Sequence, residues 1–246
     1  DPQKSYFLQA DVTSFEQWAT DLDNLLSVGD VSPGFAMYNR LRLRALEQLE
    51  SNIALLKTDF LFDLKSQSNL LVDSEKRVWL TSPEEAKSYW IKRMTDSLIR
   101  LLLNDKEPVA ARELLLKRFE NQLKQFKQRD SEDVFQLYVN ALAGLYDPHT
   151  AYYSPRTSEN FQISMSLSLE GIGAELRTED DYTLVARIIP GGPADAQGIL
   201  QAGDKIIGVG QADDTVVDVV GWRIDDVVDL IRGPKNSIVR LQVLAA

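Results

Sequence analysis

Glycine is spread so unevenly along these 246 residues that one uniform architecture is excluded. Ten of the 13 glycines lie at or beyond Gly171, and only Gly29, Gly34 and Gly144 come earlier. Glycine weakens helix interiors but suits turns, where positive φ or close backbone approach is required. The distribution therefore predicts a helical first part and a second part of short strands joined by tight turns.

Helical periodicity supports the first prediction. Ser32-Pro33 resembles a cap and first-turn pair before apolar spacing that runs from residue 35 to about residue 56. Ser82 and Glu85 fit a capping box, followed by Trp90, Met94, Leu98, Leu101 and Leu102 on one face to about Leu103. Pro108 opens a third run carrying Leu114, Leu115, Phe119, Leu123 and Phe126. Ser131 or Asp130 caps a fourth, with Val134, Leu137, Tyr138, Ala141 and Leu145. Residues 59–80 fit no single pattern.

The second part alternates at strand period. Strands are predicted from Tyr182 to Ile189, from Lys205 to Val209 and from Ser237 to Leu244. Short helices are predicted from Ala194 to Gln197 and from Arg223 to Ile231, the latter stopped by Gly233-Pro234. Five short strands with two helices imply a small α+β or partly open barrel domain. Between the parts, Pro148 and Pro155 mark a fixed, extended connector.

Gly171-Ile172-Gly173-Ala174 follows one alternating run, residues 165–168, and leads into another at Ala174-Glu175-Leu176-Arg177. Gly-x-Gly between strands lets successive backbone N–H groups turn inward as an anion nest, although the dipeptide pattern alone also fits an ordinary β-turn. Position 176 is Leu176, so the third glycine of a dinucleotide loop is missing. A nest beside a strand edge suits the carboxylate at the end of a bound peptide. From Ala151 onward the chain carries 8 basic and 14 acidic residues, so bulk charge would not attract that carboxylate and local N–H dipoles must hold it.

A net charge of −10 argues against nucleic acid and anionic membranes as partners. With no cysteine and one histidine, there is no thiol nucleophile, disulfide frame or zinc cluster. Glu179-Asp180-Asp181 lacks the alternating spacing of a calcium loop and suits a solvated hairpin turn better. No metal or cofactor is expected. The absence of an apolar leader implies that a signal peptide, if one exists, is not in this chain. His149, with Asp147 and Ser154 nearby, lies too close to them in sequence for the separate rigid elements of a triad. Lys205 and Lys235 are expected at solvated turns, where they stay charged and are poor bases. No catalytic residue is assigned.

The order of elements resembles a bacterial PDZ domain. Residues 169–174 would form its carboxylate-binding loop, and Gly192-Pro193-Ala194-Asp195-Ala196 and Gly203-Asp204-Lys205-Ile206 match its next segments. The run from Asp226 to Lys235 is similar to the C-terminal processing proteases. Asp147-Pro148-His149-Thr150, Tyr153-Ser154-Pro155-Arg156 and residues 165–174 together resemble the tail-specific proteases of Gram-negative bacteria. The resemblance is close from about Ser131 to Leu244 and looser through the preceding helices.

It implies an α+β chain of two domains: a helical domain over residues 1–146, a Pro-containing linker over 147–163 and a PDZ domain over 164–246. It also implies a periplasmic Ser–Lys endopeptidase, associated with the inner membrane, whose catalytic domain follows the PDZ domain. The sequence ends at Ala246, where that domain would begin, and the family's nucleophile motif is not in it, so this chain is expected to be inert by itself. The implied partners are polypeptide C-termini, the protease domain in cis and an adaptor protein. The predicted peptide-binding set is Leu169, Gly171, Ile172, Gly173, Ala174 and Leu176, with Ile224, Val228 and Ile231 from the second helix. Ile172 and Ala174 would flank the pocket for the last side chain, and the small Ala174 would make it roomy. Ile224, Val228 and Ile231 share one helical stripe facing the groove, with Val227 and Leu230 facing the core, unless all five are core. A PDZ scaffold without enzymatic function is the alternative, and the coding sequence beyond Ala246 would distinguish the two.

Overall fold

The computed structural model describes residues 1–58, 60–64, 69–71, 73–166, 171–212, 215–234 and 236–245, and it divides into two compact units, Asp1–Ser154 and Pro155–Ala246. The first unit is helical: α1 (Gln9–Phe15), α2 (Leu22–Ser27), α3 (Ser32–Lys57), α4 (Pro83–Leu103), α5 (Pro108–Gln128) and α6 (Ser131–Tyr146). Helix α5 packs against both α3 and α4, and α6 packs against α3. Their apolar stripes meet in a core of Leu49, Ile53, Leu56, Trp90, Met94, Leu98, Ala111, Leu115 and Phe119.

The starts of these helices show which local signals are used. Ser82 Oγ accepts the Glu85 N–H at 3.1 Å, but the Glu85 carboxylate reaches Thr81 at 2.7 Å instead of closing the box on Ser82. Asp130, not Ser131, caps α6 and forms a reciprocal box with Asp133. Ser32 does not cap α3: it is already helical, Val31 precedes it, and Asp30 accepts its N–H at 2.9 Å.

At the other end of α3, Arg112 donates to the carbonyls of Leu55, Leu56, Thr58 and Phe60. A helix C-terminus leaves carbonyls without intrahelical donors, and one guanidinium here supplies them from α5. The close α3–α6 contact needs Gly34, whose missing Cβ would stand 2.3 Å from Cγ of Tyr138.

Asp11 on α1 is buried and ties that helix to α3. It accepts from Arg44 at 2.9 and 3.1 Å and from the Leu8 N–H at 3.0 Å, with Arg40 at 3.5 Å. Burial alone would push this carboxyl up, but Arg44, Leu8 and Arg40 outweigh it and hold Asp11 below the ordinary Asp range.

The second unit opens with α7 (Pro155–Ser166) and continues as β1 (Ala174–Glu179), β2 (Tyr182–Ile188), α8 (Pro193–Gln197), β3 (Lys205–Gln211), β4 (Val217–Asp218), α9 (Ile224–Ile231) and β5 (Val239–Leu244). The antiparallel sheet runs β1-β2-β3-β4, and β5 also pairs with β3 along its length, from Lys205↔Leu244 to Gln211↔Val239. Val185, Ile206, Val209, Val219, Val227 and Ile231 form its core.

Two sequence expectations fail around α7. Residues 155–163, taken as the end of an extended linker, are helical, because Pro155 occupies a first-turn position where its fixed φ favours a helix. Met165 and Ser166, expected in a strand, close the same helix, while Leu167 and Ser168 lie outside the described residues. The Glu179-Asp180-Asp181 run does turn the β1–β2 hairpin, with Asp180 at φ 55°. Lys205 is the first residue of β3, its ammonium 5.1 Å from the Tyr182 ring centroid, and not a turn residue. Lys235 lies outside the described residues.

Two outcomes follow. Gly34→Ala should force α3 off α6 and cost ~1–3 kcal/mol by overpacking, and an unchanged urea midpoint would show that the interface has slack. Arg44→Met should destabilise the chain by ~2 kcal/mol at pH 7 by leaving a buried carboxylate short of donors. The Asp11 value is depressed on folding, so its contribution is present above the unfolded pKa and lost as pH falls through the folded one. The gap between wild type and variant should therefore close as pH drops below about 3.9. Urea titrations at pH 7 and pH 3 check this, and an equal gap at both would place the effect elsewhere.

Candidate peptide-binding groove

Among the described residues strand β1 pairs with β2 alone, which leaves its other edge without a partner strand there. Along β1 the side chains alternate: Ala174 and Leu176 turn inward, and Glu175 and Arg177 turn outward. The outward charges are matched, Arg187 to Glu175 and Arg177 to Glu179. Ile172, Ala174 and Leu176 pack on the cluster containing Val227 and Ile231 of α9. The helix thus lies over the inner face of β1.

At the head of β1 the loop backbone is oriented by its carbonyls. Ile172 O accepts the Ala194 N–H at 2.8 Å, and Gly173 O accepts the Ile189 N–H at 2.9 Å. Both oxygens are drawn toward α8 and the end of β2. Among the described residues, the N–H groups of Gly171, Ile172 and Gly173 have no acceptor. Gly173 makes this possible, since its φ is +75° and a Cβ there would stand 2.9 Å from Cα of Gly192. Gly192 has the converse restriction, its own Cβ position being 2.9 Å from Cα of Gly173. Sequence reasoning did not assign Gly192 to the site, although Gly191-Gly192-Pro193 was its visible signal.

The structure brings Ile172, Ala174 and Leu176 of the predicted set together on one cluster, with Gly171 and Gly173 at its mouth. Leu169 lies outside the described residues. On α9, Ile224 and Val228 are half-buried and belong to no core cluster, whereas Val227 is fully buried and Leu230 packs on the core. Ile231 corrects the expected stripe: it is buried within the core. Ile231, the last residue of α9, thus faces the core, while Ile224 and Val228 stay half-buried outside it.

The far side of α9 is clasped to α7. Arg156 bridges Asp226 and Asp229, each at 2.9 Å, and Arg232 donates to Asn160 at 2.7 Å. Burial acts against the Arg156 charge, but Asp229 and Asp226 override it and raise its pKa. The i, i+3 spacing of the two aspartates was the sequence signal for a shared cation.

The suggestive group near the unit boundary does not assemble as a triad. Asp147 accepts the backbone N–H of His149 at 3.0 Å and the Thr150 hydroxyl at 2.7 Å. Ser154 is buried, and its N–H donates to Gln136 at 3.0 Å.

Comparisons with known proteins agree with this architecture. Residues 1–156 match the tail specific protease N-terminal domain family, and residues 160–244 match the PDZ domain family. The tail-specific protease of Haemophilus influenzae is 39% identical over 238 residues, which cover 96% of this chain and 34% of that protein. The carboxy-terminal processing protease CtpA of Bacillus subtilis is 31% identical over 133 residues, 52% of this chain and 27% of that protein. The chain thus spans about a third of the length of the first relative and about a quarter of the second. A crystal structure of the PDZ domain of a carboxy-terminal protease from Vibrio cholerae, in complex with peptide, is 60% identical, with a TM-score of 0.31, covering 31% of this chain and 78% of that one. With the helical unit and the PDZ unit each matched in order, this chain belongs to the tail-specific protease family.

Proposed function

We propose that this chain recognises apolar polypeptide C-termini, as the substrate-selecting part of a periplasmic Ser–Lys C-terminal processing endopeptidase. The observation that carries the reading is the loop at Gly171–Gly173, where carbonyls are engaged and N–H groups are left for an anion. A terminal carboxylate would sit on those N–H groups while the preceding residues extend the sheet along the free edge of β1. The last side chain would rest between Ile172, Ala174 and Val228, with Ile224 meeting a residue further up the peptide. Catalysis in this reading belongs to a protease domain acting in cis, at the inner membrane, with an adaptor protein delivering substrates.

Peptides ending in a free apolar residue should bind, and their C-amidated versions should bind at least tenfold more weakly. Charge-assisted hydrogen bonds contribute ~1.5–3 kcal/mol each, so the loss of one suffices for that factor. Fluorescence anisotropy with matched acid and amide peptides measures it, and equal affinities would reduce the loop to a turn.

Val228→Asp should abolish peptide binding while the unit stays folded, because the new carboxylate can reach water from a half-buried position. Val227→Asp should unfold the unit, since position 227 is 0% exposed and an unpaired charge there costs several kcal/mol. Thermal melts beside peptide titrations separate the two. A folded Val227→Asp variant with a melted Val228→Asp would reverse the faces assigned to α9.

A further inference from the structure

We propose that the helical unit holds a second ligand site, for a single-chain anionic amphiphile, in the cleft bounded by α3, α4, α5 and α6. The cleft encloses ≈ 530 Å³, a size typical of small-molecule sites. Its floor is aromatic: Tyr6 stands 5.3 Å from Trp90 and 5.9 Å from Phe126, and Trp90 stands 6.3 Å from Phe119, centroid to centroid.

Three guanidiniums line the same cleft. Arg93 lies 5.0 Å over the Trp90 ring and donates to Ser5 Oγ at 3.0 Å, and Arg129 lies 5.2 Å over Phe126. Arg118 projects from the α5 face that also carries Leu115, Phe119 and Gln122 into the cleft. Among the described residues, none of the three pairs with a carboxylate. The one acid in the lining, Asp1, spends its oxygens on the backbone N–H groups of Ser5, Tyr6 and Phe7.

The chain carries a net charge of −10, and other cations of this unit do meet carboxylates, as Arg44 meets Asp11, Lys57 meets Glu120, Arg100 meets Asp96 and Lys127 meets Glu50. Unmatched guanidiniums at the wall of an apolar cleft attract an anion and hydrogen-bond it in the geometry that carboxylate and phosphate share. The aromatic floor supplies the burial that a bare inorganic anion would not use. An alkyl chain with a carboxylate or phosphate head satisfies both halves.

Isothermal titration of the 246-residue chain with laurate and, separately, with dodecyl phosphate tests the site, each held below its micelle-forming concentration. At least one of the two should bind at one per chain, and which one binds more tightly assigns the head as carboxylate or phosphate. Dodecyltrimethylammonium, with the same tail and opposite head, should bind at least tenfold more weakly. Arg118 and Arg129 are exposed, so the double variant Arg118→Glu/Arg129→Glu should keep the wild-type circular dichroism and lose at least tenfold in affinity for the anion. No binding of either anion, equal binding of the cationic amphiphile, or unchanged affinity in a folded double variant would overturn the proposal.

Discussion

Two glycines set back to back organise the second unit. Gly173 and Gly192 approach so closely that a Cβ on either would overlap the other's Cα. The contact is backbone on backbone, and it seats the loop before β1 against the start of α8. Seated there, the loop turns the carbonyls of Ile172 and Gly173 to Ala194 and Ile189, while among the described residues the N–H groups of Gly171, Ile172 and Gly173 have no acceptor. The same seating fixes where β1 begins, hence which of its side chains face Val227 and Ile231.

The helical unit relies instead on arginine used in two ways. Arg112 and Arg44 are consumed by the fold, one supplying the carbonyls at the end of α3 and the other neutralising buried Asp11. Neither is replaceable by lysine without losing the forked geometry. Arg93 and Arg129 lie over Trp90 and Phe126, and among the described residues neither they nor Arg118 pairs with a carboxylate.

Much of this was visible in the residues. Pro83, Pro108 and Asp130 mark three helix starts because their local chemistry is self-sufficient: a fixed φ or a side-chain acceptor acts without tertiary help. Tyr182–Ile188 and Ile224–Ile231 were legible from period and breakers alone. Where tertiary contacts decide, sequence failed. Pro155 looked like part of a stiff connector, yet it starts a helix that Arg156 ties to two aspartates seventy and more residues away. Ile231 shares a helical stripe with Ile224 and Val228, but on a helix of 8 residues the packing of the last turn against the sheet overrides the wheel. The Gly-x-Gly pattern marked the loop before β1, whereas Gly192, its distant counterpart, was not legible, because no local pattern records which glycine will meet which.

Among the described residues one edge of β1 has no partner strand. An unpaired strand edge is an invitation to any other strand, including one from an identical molecule. Here the outward row of that strand is Glu175, Arg177 and Glu179, with Arg187 bound to Glu175, and α9 covers the inner face. A broad sheet approaching edge-on meets both the charged fringe and the helix. A single extended segment, narrow enough to slip between them, meets neither obstacle. The charged row and the covering helix thus restrict, by shape and by charge, what can pair with that edge.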